Sequence, residues 1–205
     1  MIFYKFVRGL VSGVLHILFR VKVEGKENVP RNEAFVICAN HISFFDPPML
    51  GLCMPLNLRF MAKEELFHNK LFGALLRSLG AFPIRRGKSD VGALRTAMKM
   101  LKDGNCVTIF PEGARSKTKG VMKKGKSGAA LIAAKSGVNI LPVGIEGEYH
   151  LFSKMTVRIG QPISMDAYFD RKVETEELQA LTDETIMPAI AQLAGVQTYE
   201  NRNRG

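Results

Sequence analysis

A histidine with an aspartate five positions on can do acid–base chemistry, and the chain has one in Asn40-His41-Ile42-Ser43-Phe44-Phe45-Asp46. An aspartate on one imidazole nitrogen fixes the tautomer and stabilises the imidazolium. The other nitrogen is then left to take a proton. That is the wiring of a general base. On one continuous helix the two side chains would point roughly 140° apart, at about 100° per residue. Across a strand–loop–helix turn the carboxylate can fold back onto the ring. The flanks predict such a turn. Residues 34–39 form a short apolar run that reads as a buried strand. The Asp46-Pro47 pair reads as a helix start, with Asp46 near the N-cap and Pro47 at the first helical position. A capping aspartate beside a surface histidine would leave the same signature, so the pair needs company.

It has three further blocks. Phe110-Pro111-Glu112-Gly113-Ala114-Arg115-Ser116 follows a second apolar run at residues 106–109. A Glu-Gly-x-Arg turn there puts a carboxylate and a guanidinium at the same sheet edge. Ligands of open α/β sheets bind outside the carboxyl ends of the strands. Gly80-Ala81-Phe82-Pro83-Ile84-Arg85-Arg86 is an apolar stretch ending in cations. Ile140-Leu141-Pro142-Val143-Gly144-Ile145 is the fourth block.

In this order, the four blocks resemble the motifs of the lysophosphatidic acid acyltransferases, a family of glycerolipid acyltransferases. Asn40, His41 and Asp46 match Asn-His-x4-Asp. Gly80, Ile84 and Arg86 match the second motif. Residues 110–116 match Phe-Pro-Glu-Gly-Thr-Arg-Ser except that Ala114 replaces the usual threonine, and the fourth motif lies around Pro142. The blocks span most of the chain.

The resemblance implies transfer of a fatty acyl group from a thioester to the free sn-2 hydroxyl of lysophosphatidic acid, giving phosphatidic acid. The donor would be acyl-CoA or acyl-carrier protein, with no other cofactor and no metal. An acceptor such as glycerol-3-phosphate or another lysophospholipid is the alternative. His41 and Asp46 would be catalytic. Asn40, Arg86, Glu112, Gly113, Arg115, Ser116 and Lys126 would bind substrate, with Arg115 and Arg86 on the acceptor phosphate. Glu112 either orients Arg115 or binds the acceptor.

A length of 205 residues suits one domain with a sizeable core. Strand and helix signals alternate: strands at 58–62, 81–84, 106–110, 139–145 and 155–159, and helices at 46–53, 67–79, from 89 to about 103, 127–136 and from 175 on. The expected fold is α/β, a single domain with a mixed sheet of about seven strands flanked by helices. Thr175 is expected to cap the last helix and Pro188 to kink it. Residues 21–195 would be the acyltransferase domain and 196–205 a loose tail.

Residues 1–20 are strongly apolar. On a helical wheel Lys5, Arg8, Gly9, Ser12, His16 and Arg20 gather on one narrow face. A wide apolar arc with a basic stripe predicts an amphipathic helix lying in the membrane interface. The charges make spanning costly, and no small-residue cleavage site follows. A helix packed on the domain's own core is the rival. The expected location is peripheral or monotopic on the cytoplasmic face of the cell membrane. The formal net charge of +10 also points to an anionic partner.

Other chemistries fit less well. Gly120 to Ser127 has Walker A spacing, but a real P-loop follows a strand, and Ser116-Lys117-Thr118-Lys119 is none. No Gly-x-Ser-x-Gly elbow marks a serine hydrolase. The basic clusters lack interleaved aromatics for nucleic-acid stacking. The histidines are scattered, against a zinc site. Cys38, Cys53 and Cys106 read as buried thiols in a reducing compartment. A Cys38–His41 nucleophile pair would need Cys38 to leave its strand.

Overall fold

Successive side chains along the strands point to opposite faces, and both faces of the sheet are apolar. Val36 and Cys38 pack on one side; Ile37 and Ala39 pack on the other. Such a sheet must be covered twice. The structure, a computed structural model, describes residues 9, 13–15, 17–54, 58–84, 91–116 and 118–199.

The chain runs β1 (Arg20–Glu24), β2 (Val36–Ala39), α1 (Asp46–Cys53), β3 (Leu58–Lys63), α2 (Lys70–Ser78), β4 (Ala81–Ile84), α3 (Val91–Lys102) and β5 (Cys106–Ile109). It continues through α4 (Gly128–Ser136), β6 (Ile140–Glu146), β7 (Lys154–Ile159), α5 (Thr175–Leu181) and α6 (Met187–Ala194). The seven strands form one mixed sheet in the order β1-β7-β6-β2-β5-β3-β4. Strands β6, β2, β5, β3 and β4 are mutually parallel, β7 is antiparallel to β6, and β1 is parallel to β7. This is the single α/β domain expected. Helices α3 to α6 cover one face, and α1 covers the other with Leu15 and Phe19. Alanines 129, 130, 133 and 134 are buried on α4, so that helix lies close to the sheet. Proline is tolerated at Pro83 because β4 is an edge strand.

Four local expectations shift. Asp46 is the first residue of α1, after Phe45, rather than its N-cap. Thr175 likewise opens α5, with Glu174 before it. Helix α2 begins at Lys70, not 67, because Asn69 caps it by accepting the Phe72 N–H at 2.9 Å, while Phe67 ends a separate 3₁₀ turn. Pro188 lacks the N–H that an α-helical ladder needs. The chain absorbs this upstream in a π-helical turn, Thr182–Ile186, between α5 and α6.

At the C-terminus, Gln197 pairs with Val121 and Thr198 is buried, so the packed domain extends past the expected boundary at 195. At the N-terminus, residues 13–15, 17 and 18 are helical. Leu15 and Phe19 are buried in the core while Val14 and Ile17 face outward. Most of the predicted helix, with Lys5, Arg8, Ser12 and His16, lies outside the described residues. Among the described residues no helix is long and apolar enough to cross a membrane.

Candidate active site

Strands β2, β5 and β6 deliver their chains to one edge, and the site is built from the turns that follow. Asn40 closes β2. Its side-chain amide donates to Ile145 O at 2.9 Å and accepts from Ile145 N at 2.7 Å. The amide expected on substrate is therefore committed to β6, where it sets the point at which the chain leaves the sheet.

His41 comes next. Its Nδ1 lies 2.7 Å from Asp46 Oδ2. The same oxygen accepts the N–H groups of Ile42 and Ser43, each at 2.7 Å. The other carboxylate oxygen accepts the Tyr149 hydroxyl at 2.8 Å. Asp46 is fully buried and faces four donors. That arrangement assigns the proton to His41 Nδ1 and leaves Nε2 as the ring nitrogen able to accept one. Placing Asp46 at the first position of α1, instead of at the cap, lets its carboxylate reach back over the loop. Phe110 stacks on the imidazole, with centroids 4.2 Å apart and planes 19° apart, and fixes the ring's tilt.

Glu112 ties the turns together. One oxygen accepts the His41 N–H and the other the Lys123 N–H, both at 2.8 Å. Its contacts are thus with backbone, and it pairs with no arginine among the described residues. Burial raises its carboxyl above the usual range, opposed by the two N–H groups. Ser116 donates its N–H to His41 O at 2.8 Å, and its hydroxyl donates to Val121 O at 2.7 Å. Gly113 adopts φ +68°, and a β-carbon there would lie 3.5 Å from Lys126 Nζ. The Lys126 ammonium therefore rests on this turn. Arg115 is exposed, with its guanidinium 3.6 Å from the centroid of the Phe44 ring. His41, Asp46, Glu112, Gly113, Arg115, Ser116 and Lys126 are thus one cluster. Arg86 lies outside the described residues.

Beside this loop is a cavity of about 540 Å³, lined by Ser43, Ser116, Val121, Ile145 and Tyr149 among others. Its wall mixes apolar groups such as Ile42 and Val196 with polar ones such as Asn40, Glu112 and Glu148. Burial holds the Cys38 thiol well above the usual range and pushes Cys53 up to about 12, so neither supplies a nucleophile. The Gly120–Ser127 segment follows a turn and docks on Gln197, with Met122 N donating to Gln197 O at 2.9 Å. It lacks the preceding strand of a P-loop.

Residues 20–146 match the sequence model of a family described as Acyltransferase. A 1-acyl-sn-glycerol-3-phosphate acyltransferase of Bacillus subtilis is 34% identical over 186 residues, covering 88% of this chain and 92% of that protein. The chain belongs to the lysophosphatidic acid acyltransferase family. It is therefore an acyltransferase. A protein of the same description from Streptococcus pneumoniae is 29% identical over 98% of this chain and 70% of its own length. The crystal structure of the 1-acyl-sn-glycerophosphate (LPA) acyltransferase of Thermotoga maritima shares the fold, with a TM-score of 0.69 and 29% identity over 93% of this chain and 80% of that one.

Tyr149 was missed from sequence, because it lies outside the four blocks and has no local signature. Its ring sits 5.3 Å from Phe19 and 5.5 Å from Phe45, so these aromatics hold the hydroxyl on Asp46. Burial and the Asp46 charge keep the phenol protonated, hence a donor. Tyr149→Phe keeps the ring packing and removes that donor. It should lower kcat roughly threefold to tenfold, the range of one net hydrogen bond, with KM for both substrates near the parent value. An unchanged kcat with only a lower melting temperature would make Tyr149 structural.

Proposed function

We propose that this acyltransferase moves a fatty acyl group from a thioester, of coenzyme A or of acyl carrier protein, to the sn-2 hydroxyl of lysophosphatidic acid. The observation that supports this best is the buried His41–Asp46 pair, with Nδ1 occupied and Nε2 left to act, beside the cationic turn that bears Arg115 and Lys126. The description of the Bacillus subtilis relative points the same way.

In the proposed reaction His41 Nε2 takes the acceptor's hydroxyl proton as its oxygen attacks the thioester carbonyl carbon. The tetrahedral intermediate collapses with loss of the C–S bond. The imidazolium returns the proton to the thiolate, and the two products are phosphatidic acid and the free thiol. A thiolate leaves readily, so a base on the attacking alcohol matters most. Arg115 and Lys126, with Arg86, hold the acceptor phosphate. The N-terminal helix rests on the cytoplasmic leaflet with its basic stripe toward anionic headgroups.

Purified enzyme with a labelled acyl donor tests this against lysophosphatidate, glycerol-3-phosphate and monoacylglycerol. Transfer should favour lysophosphatidate strongly. Equal use of monoacylglycerol would remove the phosphate from the proposal. Arg115→Ala should raise KM for the acceptor roughly tenfold or more, the range of a lost charge-assisted bond, and leave KM for the donor within about twofold. Equal effects on both substrates would make Arg115 structural.

A further inference from the structure

Helix α2 buries only Gly73 and turns much of its apolar surface outward. It meets the domain through Gly73, where a β-carbon would come within 2.8 Å of Phe67 O, with Leu76 half-buried beside it; the exposed Arg77 lays its guanidinium 5.0 Å from the Phe67 ring centroid. Three of its apolar side chains point the other way. Leu71 is 85% exposed, and Phe72 and Leu75 are also exposed. A large aliphatic side chain that open is unusual within a cluster of like neighbours, and contiguous exposed apolar patches mark interaction surfaces.

The patch is not isolated. The parallel strands leave the sheet at the edge that carries His41. Phe44 and Phe45 follow β2, Leu71 and Phe72 open α2 after β3, and Leu151 and Phe152 follow β6; all six are exposed. Ile17, exposed just before β1, reaches the same edge, because β1 starts beside β7 and β7 starts where β6 ends. Exposed apolar groups thus spread along one edge from β1 to β3. Five strand spacings separate those strands, or roughly 24 Å at about 4.8 Å each. His41 lies between the two ends. Arg115, Lys123 and Lys126 sit on the turns of the same edge, and Lys70 opens α2.

From this we infer that the outer face of α2 is a second membrane contact, inserting Leu71, Phe72 and Leu75 into an anionic bilayer at the end of the sheet far from the N-terminal helix. The inference rests on the reading that the acceptor is a bilayer lipid. An apolar rim with interspersed cations complements an anionic interface, whereas a groove for one peptide would concentrate the exposure on one element. A single contact at the β1 end lets the edge pivot. A second at the β3–β4 end lays it flat and holds His41 at the depth of the glycerol hydroxyl.

The test uses the full chain carrying Leu71→Gln, Phe72→Gln and Leu75→Gln together. Glutamine is a good helix former, so α2 is preserved. Flotation with vesicles of phosphatidylglycerol and phosphatidylethanolamine should show partitioning reduced by roughly tenfold or more, from the lost apolar burial. Turnover of vesicle-embedded lysophosphatidate should fall in step, while turnover of a water-soluble short-chain lysophosphatidate stays within about twofold of the parent. Should the triple variant melt early, Leu71→Gln alone is read in the same assays. Unchanged partitioning of a folded variant overturns the inference. So does unchanged partitioning with a dimer converted to monomer, which makes this face a contact between copies. If the parent acylates no lysophosphatidate yet its flotation depends on Leu71, the membrane contact stands and the proposed substrate falls.

Discussion

Replacing His41 by Ala should cut acyl transfer by roughly 10²- to 10⁴-fold, the cost of losing a general base, without unfolding the protein. The geometry separates the ring from the loop that carries it. The backbone N–H of His41 still reaches Glu112, and its carbonyl still accepts from Ser116. Asp46 keeps the N–H groups of Ile42 and Ser43 and the Tyr149 hydroxyl. Only the imidazole, with its stacking on Phe110 and its bond to Asp46, is lost. The loss should therefore appear in kcat, with KM for donor and acceptor little changed and the thermal transition within a few degrees of the parent. Near-normal turnover by His41→Ala would end the general-base reading. A collapse in stability matching the loss of activity would instead make the histidine a structural plug.

The sheet was legible because buried parallel strands are short apolar runs, and each is followed by a turn with polar residues. The site was legible where its chemistry sits on one turn, as with His41 and Asp46 or with Glu112 and Arg115. What was hidden is what crosses between turns. Asn40 reads as a ligand residue, yet its partner is the backbone of Ile145, 105 positions away. Backbone groups leave no mark in a sequence. Glu112 reads as a partner for Arg115 or a ligand of the acceptor, but its oxygens go to the N–H groups of His41 and Lys123, which every residue type except proline supplies. Tyr149 reaches Asp46 across 103 positions and has no periodic or motif context. Gln197 reads as tail because polarity alone does not show that its backbone pairs with Gly120 and Met122. Helix α2 teaches a different limit. Periodicity reports that a helix has an apolar face, not which way that face is turned. Gly73 was the local sign that the close contact lay on the other side.

Asp46→Asn and Asp46→Ala should part company, and the hydrogen bonds around the carboxylate say how. The Ile42 and Ser43 N–H groups both point at Oδ2. An asparagine must put its carbonyl oxygen there, because an amide nitrogen would face two donors. Its NH₂ then falls on the Tyr149 side, where a hydroxyl can rotate to accept. The carbonyl still receives Nδ1–H of His41, so the productive tautomer survives. What disappears is the negative charge that stabilises the imidazolium formed as the hydroxyl proton is taken. The expected result is a plateau in kcat/KM lowered by on the order of 10–10²-fold, milder than a wrong tautomer would produce. Asp46→Ala removes all four acceptor contacts from a fully buried position. The Ile42 and Ser43 N–H groups would be left without their acceptor, at about 1–3 kcal/mol each. Its activity should fall to the level of His41→Ala or below, and its melting temperature should fall with it. The turnover and the melting curve of the two variants decide the matter. If Asp46→Asn is as inactive as His41→Ala while its melting temperature holds, the amide has turned its nitrogen toward His41. The backbone donors then do not control the orientation of this side chain.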